Sequence, residues 1–240
     1  MAAEVTNTAN ATDDGNLSEY EYLAESFGAA AADRLILLGV DTRAAASGAF
    51  GSVPTGVTIG GVTATMLAEK NQVDGANSLG EAVWGAAVPT GTSGDVVVTY
   101  GGGQLRSTCS VYRVTGAVLS PFDTATEGGA SGTDRNVTID VEAGGIIIGS
   151  YCVQPTPPGT GTWTGLTEDY EGTVEFVSAT AASDEFASAQ TARAISVSWT
   201  GTPSTSALVA VSLSPAPTGG SALAPAIGSV IDGVVSSILA

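Results

Sequence analysis

The sequence predicts an all-β protein: an antiparallel two-sheet sandwich of jelly-roll type, with an extended N-terminal arm and a short apolar C-terminal tail. Three observations predict it. Thirty-two of the 240 residues are glycine, set among abundant Thr, Ser, Val and Ala, the composition of many short strands joined by tight turns. Several runs alternate apolar and polar residues with the period of two that a half-buried strand requires. Long helical periods are few.

In chain order, residues 1–18 are polar and rich in Asn, Thr and Asp, and read as an extended or disordered arm. The runs "RLILLGV", "DVVVTY" and "GIIIGSYCV" are apolar on both faces, as central strands covered on each side are. In "GVTIGGVTATML", a two-residue Gly60-Gly61 turn pairs Ile59 with Val62 and Val57 with Ala64, and turns Thr58 and Thr63 to water. "NVTIDV" puts Val137, Ile139 and Val141 on one face and Asn136, Thr138 and Asp140 on the other. "AISVSW" repeats the pattern with Ile195, Val197 and Trp199, and "ALVAVSLS" aligns Val209, Val211 and Leu213. The loop "TGTPSTS" between these two makes them a natural hairpin. About ten strands in roughly 190 residues fit a two-sheet sandwich. Beyond them, Pro215, Pro217, Gly219, Gly220 and Pro225 are linker chemistry that separates the last element. The expected organisation is an arm over 1–18, a sandwich over 19–216, and a linker with an apolar segment over 217–240.

Charge and residue inventory narrow the function. The chain carries 24 acidic against 7 basic residues, net charge −17, with Lys70 its one lysine. Nothing in it neutralises a row of phosphates, so nucleic acid is excluded as a partner. There is no histidine, which removes the commonest general base, metal ligand and pH switch. A Ser-His-Asp triad cannot be built, Lys70 stands in no Ser-Lys motif, and "TYGGGQ" lacks the lysine of a phosphate-binding loop. The expectation is a protein that is not an enzyme and takes no cofactor. The start "MAAEVTNTAN" has neither the basic nor the apolar region of a secretory signal, which predicts synthesis in the cytoplasm. Cys109 and Cys152 sit in separate strand runs. They are expected as reduced, buried thiols, a disulfide being the alternative.

The order of these runs resembles a known class. "AADRLILLGVDTR", the Gly-Gly hairpin "VTIGGVTATML", "LGEAVWGAAVPTGTSGDVVVTY" around a Pro-Thr-Gly turn, and the closing "AISVSWTGTPSTSALVAVSLSPA" are similar to jelly-roll domains of tailed bacteriophages and bacteria, over residues 30–216. That resemblance implies a virion component: a head decoration or cement protein, a head fibre, or a tail part. It implies partners among virion subunits, the major capsid protein first, and a homo-oligomer, a trimer in particular. It supplies no catalytic residues.

Candidate contact residues follow from the pattern. In 221–240 a helical spacing aligns Ile227, Val230, Ile231, Val234 and Ile238, opposite Ser229, Asp232, Gly233, Ser236 and Ser237. Pro225, Asp232 and the absence of flanking Lys or Arg argue against a membrane span. The stripe therefore reads either as a flap on its own sandwich or as an assembly contact with another chain. Trp84 and Trp199 lie in strand patterns and read as core. Trp163, in the Pro- and Gly-rich "QPTPPGTGTWTG", is the aromatic expected near the surface, for a partner or a glycan, and supports the alternative of a carbohydrate- or receptor-binding module. Acidic groups at Asp13, Asp14 and Asn16, at Glu168, Asp169 and Glu171, and at Asp184 and Glu185 offer oxygen ligands. None has the spacing of a calcium loop, so no metal is expected.

Overall fold

The structure is a computed structural model and describes residues 1–44, 53–74, 77–155 and 159–217. Within them the protein is all-β and antiparallel, a sandwich as the sequence predicts. The N-terminal half supplies β1 (Glu4–Asp13), β2 (Leu17–Ser26), β3 (Leu35–Ala44), β4 (Gly56–Ile59), β5 (Val62–Thr63), β6 (Thr65–Asp74), β7 (Asn77–Ala87) and the long β8 (Ser93–Thr115). The C-terminal half supplies β9 (Ala117–Gly129), β10 (Asp134–Val141), β11 (Gly145–Pro155), β12 (Gly161–Thr164), β13 (Thr167–Val174), β14 (Val177–Phe186), β15 (Gln190–Trp199) and β16 (Pro203–Pro215).

Hydrogen bonding divides these strands into three sheets where two were expected. The first has the order β5-β4-β8-β3-β7-β6, with β1 and β2 also paired to β8. The N-terminal half of β8 pairs with β2 and β4, and its C-terminal half with β1 and β3. Gly101, Gly102 and Gly103 lie between those halves, where a Cβ on either of the last two would meet nothing. "TYGGGQ" is thus the middle of one strand. It lets the sheet curl over a core of its own, in which Tyr20, Tyr22, Val57, Ile59, Val96 and Val98 face Ile36, Leu38, Val40 and Trp84.

The second sheet, β13-β14-β11-β16-β9, is the central layer. Its middle strands are apolar on both faces because both faces are covered. Ile146, Ile148, Val209, Val211 and Leu213 pack on Leu35, Leu37, Val83, Tyr112 and Val114 of the first sheet. Ile147, Tyr151, Val153, Leu208 and Ala210 pack the other way. There they meet the third sheet, β10-β15-β12, whose Val137, Ile139, Ile195, Val197 and Trp199 point inward. The alternation of "NVTIDV" and "AISVSW" is that of a sheet with one wet face.

Four expectations are corrected by this layering. "AISVSW" and "ALVAVSLS" do not form a hairpin: β15 pairs with β10 and β12, while β16 pairs with β11 and β9. A strand with one apolar face and a strand with two belong to different layers, and the loop between them crosses from one to the other. "DVVVTY" is half-buried, with Val96, Val98 and Tyr100 inside and Val97 and Thr99 only partly covered. The Gly-Gly hairpin forms as read, with Gly60 and Gly61 at φ 57° and 79° and the register Ile59↔Val62, but Val62 stays exposed. Finally, residues 4–13 are no free arm. As β1 they pair along β8 from Glu4↔Thr115 to Asp13↔Ser107, and the Ala3 amide donates to the Gly144 carbonyl at 2.8 Å. The apolar side chains of β1, Val5, Ala9 and Ala11, are small and few among polar ones, though they pack against the cores.

Arg34 anchors the entrance to β3. Its guanidinium is fully buried and donates to four carbonyls, of Val88 (2.7 Å), Thr90 (2.7 Å), Gly28 (3.0 Å) and Phe27 (3.3 Å), stitching two loops together.

Candidate functional site

The chemistry-bearing side chains gather in two places. One is a polar row across the inner face of the first sheet, where it meets the central sheet. Register aligns Lys70 on β6 with Glu81 on β7, Glu81 with Asp41 on β3, Asp41 with Thr108 on β8, and Thr108 with Thr12 on β1. Paired residues of an antiparallel ladder share a face, with Cβ atoms about 4.5–5.5 Å apart. The two carboxyls are therefore immediate neighbours, and both are sealed: Asp41 is 3% and Glu81 0% exposed.

Their surroundings differ. The Thr108 hydroxyl donates to Asp41 Oδ2. Neither Glu81 oxygen has a hydrogen bond of sound geometry, although Ser150 and Cys152 of β11 stand close enough to favour its charge. Burial pushes the Asp41 carboxyl from 3.8 up to about 7, against the pull of Thr108. Glu81 is pushed well above the carboxylate range by burial first and by the adjacent Asp41 charge second. The Cys152 thiol is raised well above its usual value by burial and then by Glu81, and donates weakly to the Gly80 carbonyl at 3.8 Å. Cys109 is buried in the core of the curled sheet, and burial raises it too. Both cysteines are free thiols, lodged in different cores.

The other place is the seam where β1 lies against β13 and β14. Two open acidic clefts run along it. Thr12, Asp13 and Asp14 face Thr173, Val174 and Glu175 in the first. Val5 faces Thr167, Asp169, Ser183, Asp184 and Glu185 in the second. The fold thus brings together acids that lie far apart in sequence, but most of them already accept hydrogen bonds or pair within the chain. The Val5 amide donates to Glu185 Oε1 (3.0 Å), Ser183 Oγ to Asp169 Oδ2 (2.7 Å), Thr167 Oγ1 to Asp184 Oδ1 (3.3 Å), and Arg106 pairs with Glu175. Among the described residues, no three metal-ligating acid or thiol side chains converge.

Trp163 is a correction. It is 8% exposed and lies in the core between the central and third sheets, its Nε1 donating to Thr180 Oγ1 at 2.8 Å. Its ring sits over Gly149, where a Cβ would stand 2.7 Å from two ring carbons. A Gly-rich neighbourhood that resembled a surface loop is what lets a large ring enter, and no glycan platform exists at this residue. Trp84 and Trp199 are buried as expected. Ile227, Val230, Ile231, Val234 and Ile238 lie outside the described residues. Sequence reasoning missed Asp41 and Glu81, although Asp41 directly follows the apolar "LILLGV" and Glu81 directly precedes "AVWGAA".

No family model, curated protein or solved structure matches this chain.

Proposed function

We propose that this protein is a non-enzymatic structural component of a virus particle, a capsid decoration or cement protein of a tailed phage that bridges shell subunits. The observation that carries the reading is where its reactive groups sit. The carboxyl pair and Cys152 are sealed between sheets, Cys109 is sealed inside the curled first sheet, and most of the acids along the β1 seam are engaged in bonds within the chain. Side chains used this way build a rigid body, and a rigid body acts through its surface. Binding selective for the assembled shell stabilises it by mass action.

The contact proposed for assembly is the segment 221–240. Five aliphatic side chains along one stripe contribute on the order of 1.5–3 kcal/mol each when buried. Ordering about twenty residues costs roughly 1–2 kcal/mol apiece, so the stripe needs a close partner surface to be fixed. A second copy about a three-fold axis, or the major capsid protein, would provide one. The test compares the full chain with a form ending at Pro217, by sedimentation and thermal melting. The reading expects the full chain to sediment as an oligomer and the shortened one as a monomer, with melting temperatures a few degrees apart. A full chain that stays monomeric, or a shortened chain that melts far earlier as a monomer, overturns it.

A further inference from the structure

Asp41 and Glu81 face each other across β3 and β7 at the boundary between the first and central sheets. Gly39, two residues before Asp41 on the same face, abuts Ser150 of β11, and Leu79, two residues before Glu81, packs with Cys152, Val177 and Ala207 of the central sheet. The pair is therefore inside the joint between two layers.

Two adjacent carboxylates cannot both be charged in such a place without a counter-ion. Among the described residues the ion pair present is Arg106–Glu175, which serves the β1 seam. Lys70, in register with Glu81, sends its side chain toward Gly128 on β9, where its Cε lies 2.6 Å from the point a Cβ would occupy. On the same face, β3 brings Arg43 and β8 brings Arg106, which face each other in register; burial first and the Arg106 charge second weaken the hold of Arg43 on its proton. From the central sheet, β11 brings Cys152 and β13 brings Tyr170, each pushed up by burial first, with the Asp41 charge adding to it. Through the sheet, Tyr22, Tyr100 and Cys109 feel Asp41 in the same sense. Every one of these groups is a neutral hydroxyl or thiol, or a cation that forms no ion pair with either acid.

We propose that Asp41 and Glu81 hold one proton between them, the Glu81 carboxyl donating to the Asp41 carboxylate, and that this proton is the catch of a pH-operated latch joining the first sheet to the central one. Thr108 donates to Asp41 and so marks it as the charged partner. The two Glu81 oxygens, otherwise without a sound bond, are those the shared proton would employ. When the proton leaves, two negative charges face each other in a dry joint, and the layers must part or admit water.

The sign follows from linkage. A carboxyl whose native proton affinity is raised binds more protons folded than unfolded, so stability falls as pH rises between the two affinities. Between about 7, where Asp41 is already ionised, and about 8.5, below which unfolded thiols keep their protons too, Glu81 holds the extra proton. The unfolding constant then rises by up to about tenfold per pH unit.

The experiment measures denaturant unfolding of the full chain from pH 6 to 8.5, below the titration of unfolded thiols, for wild type, Glu81→Gln and Asp41→Asn, with infrared spectra of the wild type at pH 8. Glutamine keeps a donor toward Asp41 but has no proton to lose. The wild type is expected to show a protonated carboxyl band at pH 8 and a steep alkaline loss of stability. Glu81→Gln should abolish that slope above about 7 and Asp41→Asn only lessen it, because burial still acts on Glu81; between pH 7 and 8.5 the unfolding constant of the wild type should rise at least about tenfold more than that of Glu81→Gln. Absence of the carboxyl band in the wild type overturns the proposal whether or not the variants fold. So does a slope between pH 7 and 8.5 that Glu81→Gln retains.

Discussion

Replacing Gly149 with alanine tests the join between the central and third sheets. The alanine Cβ would stand 2.7 Å from Trp163 Cη2 and Cζ3 and 3.0 Å from Leu166 Cδ1. Relaxed carbon contacts lie near 3.5–4.0 Å, so the ring has to retreat by about 1 Å. It is not free to do so, because Nε1 is held by Thr180 Oγ1, which itself donates to the Tyr170 carbonyl at 2.8 Å. Overpacking of this kind costs about 1–3 kcal/mol. At roughly 2–4 °C per kcal/mol for a chain of this size, Gly149→Ala should melt about 2–12 °C early. Trp163→Ala should cost more, about 3–5 kcal/mol, because it empties a large site. The decisive comparison is Gly149→Ala combined with Trp163→Phe. A shorter ring makes room for the methyl, so calorimetric melting should find the double variant less destabilised than the sum of the singles by at least about 0.5 kcal/mol. Additive effects, or a Trp163→Ala protein that melts like wild type, would refute the packing described here.

Two further outcomes are expected. Arg34→Ala strands four carbonyls in a buried site and should cost on the order of 3 kcal/mol in denaturant unfolding; Arg34→Lys, with three donors and no planar fork, should recover only part of it. Removing residues 1–13 should lower the melting temperature by several degrees or cause aggregation, because it takes Ala3 from the core and bares the β8 edge to other chains; a shortened protein as stable and as monomeric as the full chain would mean that β1 is an accessory arm.

How much is legible in the sequence depends on whether burial leaves a pattern. "NVTIDV" and "GIIIGSYCV" declare one covered face and two, and the structure gives them that burial. Gly60-Gly61 declares its turn because two positive φ angles in succession exclude most other residues. What the pattern does not convey is partnership. "AISVSW" and "ALVAVSLS" look like a hairpin because they are neighbours in sequence, yet three layers require the chain to leave one sheet for the next. Residues 4–13 hide because their packing side chains, Val5, Ala9 and Ala11, are few and small, and a bulge between Asn7 and Ala9 breaks the alternation. Trp163 is misleading because glycines around an aromatic describe a loop and a cleft for a ring equally well. Asp41 and Glu81 escape notice because their pairing is a matter of register between β3 and β7, forty residues apart in sequence.

The most direct test of the proposed structural role is electron cryo-microscopy of tailed-phage particles purified from cells that make this chain. The account predicts density for the layered sandwich at symmetry-related positions on the shell exterior, with residues 221–240 buried against a neighbouring chain along Ile227, Val230, Ile231, Val234 and Ile238. A chain confined to the tail, absent from any particle, or with that segment folded onto its own sandwich would contradict it.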